Sequence, residues 1–319
     1  MSDFPVISLS ECADRIAAAG KPIVIMHVRP DGDTVGSCAA LCEIFKALGR
    51  EAKYACDDPI PERLAFLLAD FERAEAFDGY DPISIDVASP SQMGALADKI
   101  NVGFAIDHHR VNTPFAPNYT LPEASSAGEV LFGIAKELES RGLIKITKEI
   151  AYPIYAAISS DTGGFVFSNA TESTYRTAAE LIALGIDHAD INHKLFMSKS
   201  KEQIIAEGFT ASKIKTAADG KISYATVSRA EVKALGIDIS YFDTAIDVVR
   251  SLLGAEIALI VKETDRGFKA SMRSVGKNVA EIAARHGGGG HIRAAGCTVD
   301  AKSADEAAEK LISELQEII

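Results

Sequence analysis

Eight acidic or imidazole side chains follow one another in a regular order: His27, Asp31 and Asp33 in the segment His-Val-Arg-Pro-Asp-Gly-Asp, then Asp86, then Asp107-His108-His109, then Asp161. Carboxylate oxygen mixed with imidazole nitrogen, without thiolate, favours Mn²⁺ or Mg²⁺, with Fe²⁺, Co²⁺ or Zn²⁺ as substitutes. Two such cations sharing a ligand can activate water, orient a phosphate and stabilise both oxygens of a displacement, so the set is a candidate two-metal hydrolase site. Taken singly, each residue has a plainer reading. His27 could be a core histidine at a strand end, and Asp31-Gly32-Asp33 an ordinary Asx turn. Two adjacent histidines behind a strand-terminal aspartate resist that reading, because all three would need burial partners straight after an apolar run.

Each group stands at or just after the end of a short apolar run, where an open parallel sheet gathers its functional side chains. Ile23 to Val28 is β-branched and too short for a helix; it runs into the turn cluster Pro30-Asp31-Gly32-Asp33 before a helical pattern from Ser37 to Leu48. Ala52 to Cys56 reads as a weaker strand, Ile83 to Val87 and Val102 to Asp107 as stronger ones, with a helix-like stretch from Gln92 to Lys99 between them. A parallel sheet explains this rhythm. Helical patterns follow over Ser125 to Ser140, capped by Ser125 or Ser126, over Ile150 to Ser160, which delivers Asp161, and over Thr171 to Leu184.

From Asp187 to about Lys213 the pattern is helical but richer in Lys and Ser, which suits a connector. Beyond it, Asp219-Gly220 and Asp265-Arg266-Gly267 each separate two alternating runs and predict antiparallel hairpins, with helices at Arg229–Leu235, Tyr241–Leu253, Asn278–Arg285 and Ser303–Ile318. The expected class is α/β: residues 1–190 form an open, mostly parallel sheet with helices on both faces, 191–215 a helical connector, and 216–319 a smaller mixed α/β domain. In that domain Gly287 to Gly290 precede His291-Ile292-Arg293-Ala294-Ala295-Gly296. A floppy linker inside a domain is costly, whereas glycine there lets backbone N–H groups approach an anion. No Lys-Ser or Lys-Thr follows, so this is not a Walker loop, and the spacing fails the dinucleotide fingerprint.

The segments around His27–Asp33, Asp86, Asp107-His108-His109-Arg110 and Asp161-Thr162-Gly163 resemble the successive motifs of the DHH phosphoesterase family, over residues 21–165. Ser271-Met272-Arg273-Ser274 with Gly288-Gly289-Gly290-His291 and Ala294-Ala295-Gly296 is similar to the DHH-associated C-terminal domain, with Gly287 as an extra leading glycine. The resemblance implies one metal on His27, Asp31 and Asp86, a second on Asp33, Asp86, His108 and Asp161, and Asp86 as the bridge. It implies Asp107 as a supporting carboxylate that orients a ring. It implies His109 as the group facing the substrate phosphate, a charge-stabilising donor and acid for the leaving oxygen. Arg273, Ser274, Gly288, Gly289, Gly290 and His291 would bind the substrate end remote from the metals, so that their distance from the metals acts as a ruler for length. Within the family the chain resembles the group that hydrolyses short oligoribonucleotides and 3′-phosphoadenosine 5′-phosphate.

Charge and composition narrow these expectations. Thirty-three Lys and Arg against 45 Asp and Glu leave a net charge of −12, the wrong balance for tracking a long polyanion, so a nucleic-acid substrate should be short. The 319 residues, 47% hydrophobic, suffice for two cores, and with neither a long apolar stretch nor a secretory leader the expectation is a cytoplasmic protein without a membrane partner. The five cysteines contain no Cys-x-x-Cys pair and read as reduced, buried thiols, although Cys38 and Cys42 could share a metal. His188 and His193 read as structural, and His286 as a helix-end residue. Lys194, Lys199 and Lys201 read as a solvated helix face. Close alternatives are a phosphodiesterase for cyclic dinucleotides or their linear products and, lower, a pyrophosphatase or exopolyphosphatase; the non-enzyme alternative is a nucleotide-binding regulatory module. A homodimer is compatible with the sequence.

Overall fold

Strand alternation lets one apolar run serve two cores: Val24 and Met26 pack with one cluster, Ile23 and Ile25 with another on the opposite face. The computed structural model describes residues 4–319; Met1 to Asp3, which the expected N-terminal domain includes, lie outside the described residues. Two compact units divide the chain, the first ending at Ser198 and the second running from Lys199 to Ile319.

The first unit is built on five parallel strands, β1 (Pro22–Ile25), β2 (Lys53–Ala55), β3 (Asp81–Ile85), β4 (Phe104–Asp107) and β5 (Asn118–Thr120), in the order β2-β1-β3-β4-β5. This order reverses between β1 and β3, which opens a crevice at their carboxyl ends. One face carries α1 (Leu9–Ala18), α2 (Gly32–Ala47), α3 (Ala127–Ser140), α4 (Lys148–Asp161), α5 (Glu172–Ala183) and α6 (His188–Asn192), all contributing to the larger core. The other face is covered more thinly, by the 3-10 segment Pro90–Leu96 and the loops around Ala74, Val102 and Ala116. That segment stands where a longer helix was expected, and Gly94, at φ 59° and ψ −137°, breaks it.

α2 begins at Gly32, five residues ahead of the expected start. Gly32 and Gly36 lack the side chains that would announce a helix, and their smallness serves packing instead. A Cβ on Gly32 would lie 2.2 Å from Ser160 Oγ, and one on Gly36 2.8 Å from the Pro153 carbonyl oxygen, both on α4. Two helices therefore approach more closely than bulkier residues permit, and the carboxylates at their ends meet.

The second unit contains α7 (Lys201–Ser212), β6 (Lys215–Ala217), β7 (Ile222–Val227), α8 (Arg229–Leu235), α9 (Ile246–Arg250), β8 (Ile257–Thr264), β9 (Gly267–Ser274), α10 (Val279–Arg285), β10 (Gly289–His291), β11 (Ala294–Val299) and α11 (Ala304–Leu315). Its sheet runs β10-β11-β9-β8-β7-β6, antiparallel except for the parallel pair β7–β8. α10 and α11 cover one face, while α7, α8 and α9 pack over the β7–β8 side of the other. The segment 191–215 is thus shared, its first part closing the first unit and α7 opening the second. Among the described residues no helix is long and apolar enough to cross a membrane.

Candidate metal centre and anion-facing sheet

All eight residues singled out in the first unit come together at the carboxyl edge of its sheet. His27 and Asp31 follow β1, Asp33 sits in the first turn of α2, Asp86 follows β3, Asp107 to His109 close β4, and Asp161 ends α4. Asp31 is the N-cap of α2: its Oδ1 accepts from the backbone N–H groups of Asp33 at 3.0 Å and Thr34 at 3.1 Å. The turn cluster of the sequence is therefore a helix start, and capping turns the Asp33 side chain inward.

Three donor groups emerge, His27–Asp31–Asp86, Asp33–His108–Asp161 and Asp86–His108–His109, each with ligand atoms within 4.8 Å of one another. His27 Nε2 lies 3.7 Å from Asp31 Oδ1 and 3.6 Å from Asp86 Oδ2. His108 Nε2 lies 3.5 Å from both Asp33 Oδ2 and Asp86 Oδ1, and 4.0 Å from Asp161 Oδ2. Asp86 belongs to the first and third groups, with Oδ2 toward His27 and Oδ1 toward His108, which the second and third groups share. These separations exceed hydrogen-bond range and match the roughly 3–4 Å between ligands that share one cation at about 2.1 Å.

Backbone carbonyls fix both rings. His27 Nδ1 donates to Val28 O at 2.8 Å and His108 Nδ1 to Ala124 O at 3.3 Å, which leaves Nε2 as the nitrogen that faces the carboxylates. Asp107, one of two expected partners for a ligating ring, holds His109 instead, the ligating rings going to carbonyls: its Oδ1 accepts from His109 Nδ1 at 2.7 Å and from the His108 and His109 backbone N–H groups. Asp33 is gripped by the N-terminus of α3, accepting from Ala127 N at 2.8 Å and Gly128 N at 3.1 Å, and also from Ser37 Oγ at 3.0 Å. Asn169 Nδ2 donates to Asp161 O and to its Oδ2 at 3.3 Å. Ser37, Asn169 and the glycines of α2 had no signal in a single sequence, because their role appears only once α2, α3 and α4 are in place.

Asp33, Asp86 and Asp107 are each only 2% exposed. Asp86 Oδ1 is buried without a hydrogen-bond partner, and Asp86 itself occupies the left-handed region at φ 59°. A buried carboxylate oxygen lacking a donor is costly, and a cation answers that need. Without one, protons take its place. Burial pushes Asp33 well above the usual carboxylate range, with Asp86 adding repulsion, and burial lifts Asp161 to about 7. Burial opposes charge on His27 and His108, yet Asp31 and Asp86 outweigh it at His27 and Asp86 and Asp33 at His108, raising each to about 11. The residues present therefore fit a pair of divalent cations.

In the second unit the register aligns His291, Ala294 and Arg273 in one row across β10, β11 and β9, with Gly289, Gly296 and Ser271 in the next row on that face. Ala270, Met272, Ala295 and Cys297 turn to the opposite face and its core. Arg273 and His291 thus flank a floor of small residues. Burial works against the Arg273 charge while Asp247 supports it, and its Nη1 donates to the Met272 carbonyl at 3.0 Å. Ser274 falls on the other face and donates its hydroxyl to Lys277 O, which closes a turn. Of the glycine run, Gly289 and Gly290 belong to strand β10 and Gly287 and Gly288 precede it. A Cβ on Gly288 would lie 2.2 Å from Gly296 O and one on Gly290 2.4 Å from Ala294 O, so both glycines have a packing reason, whereas Gly289 has open space.

The remaining candidates have structural partners. His286 Nε2 meets Glu314 Oε1 at 2.8 Å, His188 packs edge-on against Tyr155, and Lys194 pairs with Asp190 at 2.7 Å beneath the Phe66 and Tyr152 rings. All five cysteines are buried and free.

Residues 21–158 match the DHH family N-terminal domain and residues 219–319 the DHHA1 domain. A bifunctional oligoribonuclease and PAP phosphatase, NrnA, of Thermus thermophilus is 31% identical, aligned over 96% of this chain and 92% of its own length. A probable manganese-dependent inorganic pyrophosphatase of Bacillus pumilus is 29% identical over 53% of this chain and 57% of its own. Among solved structures, an exopolyphosphatase-related protein of Bacteroides fragilis superposes with a TM-score of 0.88 at 22% identity, covering 97% of this chain and 96% of that one.

Proposed function

This chain belongs to the DHH family, and from that premise we propose that it hydrolyses short oligoribonucleotides and 3′-phosphoadenosine 5′-phosphate with two divalent cations. The enzyme class, a metal-dependent phosphoesterase, follows from the family and its relatives. The substrate reading is supported by the oligoribonuclease and PAP phosphatase relative, which matches along nearly the whole chain, and by the DHHA1 match. The net charge of −12 agrees with small substrates.

The observation that carries the reading is the buried cluster around Asp86, with Oδ2 toward His27, Oδ1 toward His108 and no hydrogen-bond donor on Oδ1. His27, Asp31 and Asp86 would hold one cation; Asp33, Asp86, His108 and Asp161 would hold the other. Mn²⁺ is the first choice, because the donors are carboxylate and imidazole and because the Bacillus pumilus relative is named manganese-dependent. Mg²⁺, Co²⁺, Fe²⁺ or Zn²⁺ would be substitutes. Bound there, the pair supplies Lewis acidity that lowers the pKa of water and neutralises phosphoryl charge.

The protein's own contribution is placement. The carbonyls of Val28 and Ala124 hold the Nδ1 protons of His27 and His108, so that Nε2 is the nitrogen each ring would give to a cation that displaces its proton. Asp107 holds the His109 proton at Nδ1, so Nε2 is the nitrogen that meets the substrate. Burial opposes charge on His109, but Asp107 and Asp86 prevail and push its pKa up, which suits a donor to the phosphoryl or leaving oxygen at neutral pH. Arg273 and His291, over the Gly289–Gly296 floor, take a phosphate farther along the substrate. The test is a side-by-side assay with Mn²⁺ of 5′-phosphorylated di- and trinucleotides, 3′-phosphoadenosine 5′-phosphate, a cyclic dinucleotide and pyrophosphate. The highest kcat/KM should fall on the linear oligonucleotides and the bisphosphate; preferred turnover of pyrophosphate overturns the reading.

A further inference from the structure

The floor of the second unit's sheet continues beyond Ser271. Its next row on the same face holds Thr298, Lys269 and Lys262, on β11, β9 and β8. Lys262 and Lys269 stand directly opposite each other, an arrangement of like charges that destabilises a strand pair unless something compensates it. The Lys262 side chain is only 2% exposed, while that of Lys269 is 42% exposed. A single carboxylate serves both: Asp243 accepts from Lys262 Nζ and lies 3.6 Å from Lys269 Nζ. Two ammonium groups against one carboxylate leave a surplus positive charge on an otherwise smooth face. Burial acts against the Lys262 charge and Asp243 supports it, and of the two lysines Lys262 lies closer to that carboxylate. Lys269, farther from Asp243 and open to solvent, is the ammonium that an external anion can engage.

Four residue steps along β9 lead from Lys269 to Arg273, a span of roughly 13 Å between their Cα atoms. Ser271, Gly296 and Gly289 fill the interval, and none carries a bulky side chain. Long side chains at both ends can lean over this interval toward successive phosphates of one strand, with the nucleoside between them over the small residues. Thr298, exposed and paired with Lys269, adds a hydroxyl at the same end.

We propose that Lys269, backed by Lys262, is a second anion contact of this face and takes the phosphate one step along the strand from the phosphate that Arg273 and His291 hold. The inference rests on the oligonucleotide reading above and deepens it, since it makes the face a two-phosphate track and gives the enzyme a preference among short lengths. Its test uses Lys269→Ala in the full-length, Mn²⁺-loaded enzyme, assayed on a 5′-phosphorylated dinucleotide and the corresponding trinucleotide from low to moderate salt. KM for the trinucleotide should rise about tenfold with kcat unchanged. The slope of log KM against log salt should shrink by about 0.7, the loss of one phosphate contact on a single strand. The dinucleotide should respond to neither measure, and Lys269→Arg should restore the wild-type values. Wild-type hydrolysis of both substrates with an unaltered Lys269→Ala variant overturns this inference alone, as does an equal loss on both lengths. A wild-type enzyme that hydrolyses neither substrate overturns the proposed function and this inference with it.

Discussion

In the first unit the proposed metal-site side chains come from four separated stretches between His27 and Asp161 and include three carboxylates at 2% exposure; in the second the proposed anion-binding side chains come from neighbouring strands and stay partly open. The contrast shows what each arrangement costs. Buried carboxylates packed together are unfavourable unless a cation compensates them, so such a cluster is informative by itself. Partly exposed cations such as Lys269 cost less than buried carboxylates, and their presence says less. The first site therefore rests on its own chemistry, and the second rests on register, charge surplus and kinship.

The sharpest way to break the contrast is Asp86→Ala. Removing the shared carboxylate should release both cations and lower kcat by about 10³-fold or more, measured by metal analysis and hydrolysis together. Full metal content in that variant would equate the buried cluster with an ordinary polar core. Asp107→Asn should act more mildly, about 10- to 100-fold in kcat with metal content retained, because it loosens the His109 ring without touching the proposed donor sets. An unchanged kcat removes Asp107 from the mechanism.

The pH dependence separates the units next. In the cation-free protein Asp161 titrates near 7, lifted by burial, and His27 and His108 keep their protons to about 11. These protons occupy the positions that cations need, so they compete with binding. Mn²⁺ affinity should accordingly rise between pH 6 and pH 8, about tenfold per unit for each proton displaced, with proton release seen by calorimetry in buffers of different ionisation enthalpy. A pH-independent Kd would contradict the coupling. The smallest effect is expected at the open face: Arg273→Ala should raise KM for short oligonucleotides about tenfold and leave kcat and metal content unchanged. A fall in kcat without a change in KM would give Arg273 a different task.

The same asymmetry explains how much the sequence disclosed. The presence of β1, β3 and β4, the cap of α3 at Ser126 and the hairpins β6–β7 and β8–β9 were legible because each depends on a local pattern of branched residues, caps or turn glycines, although β1 and β3 end at Ile25 and Ile85, short of the expected Val28 and Val87. The eight polar residues were legible because each followed such a pattern. α1 and β5 escaped notice, and the start of α2 was misplaced because Gly32 and Gly36 answer to Ser160 and Pro153 of a distant helix. The β10–β11 hairpin was hidden for a related reason: Gly288 and Gly290 are dictated by backbone atoms of Gly296 and Ala294, a contact that composition cannot reveal.

The most direct test of the central claim is anomalous scattering from crystals of the protein grown with Mn²⁺. Two peaks are expected, one bound by His27, Asp31 and Asp86 and the other by Asp33, Asp86, His108 and Asp161, with an Asp86 oxygen on each. A single peak, or two that do not share Asp86, would contradict it.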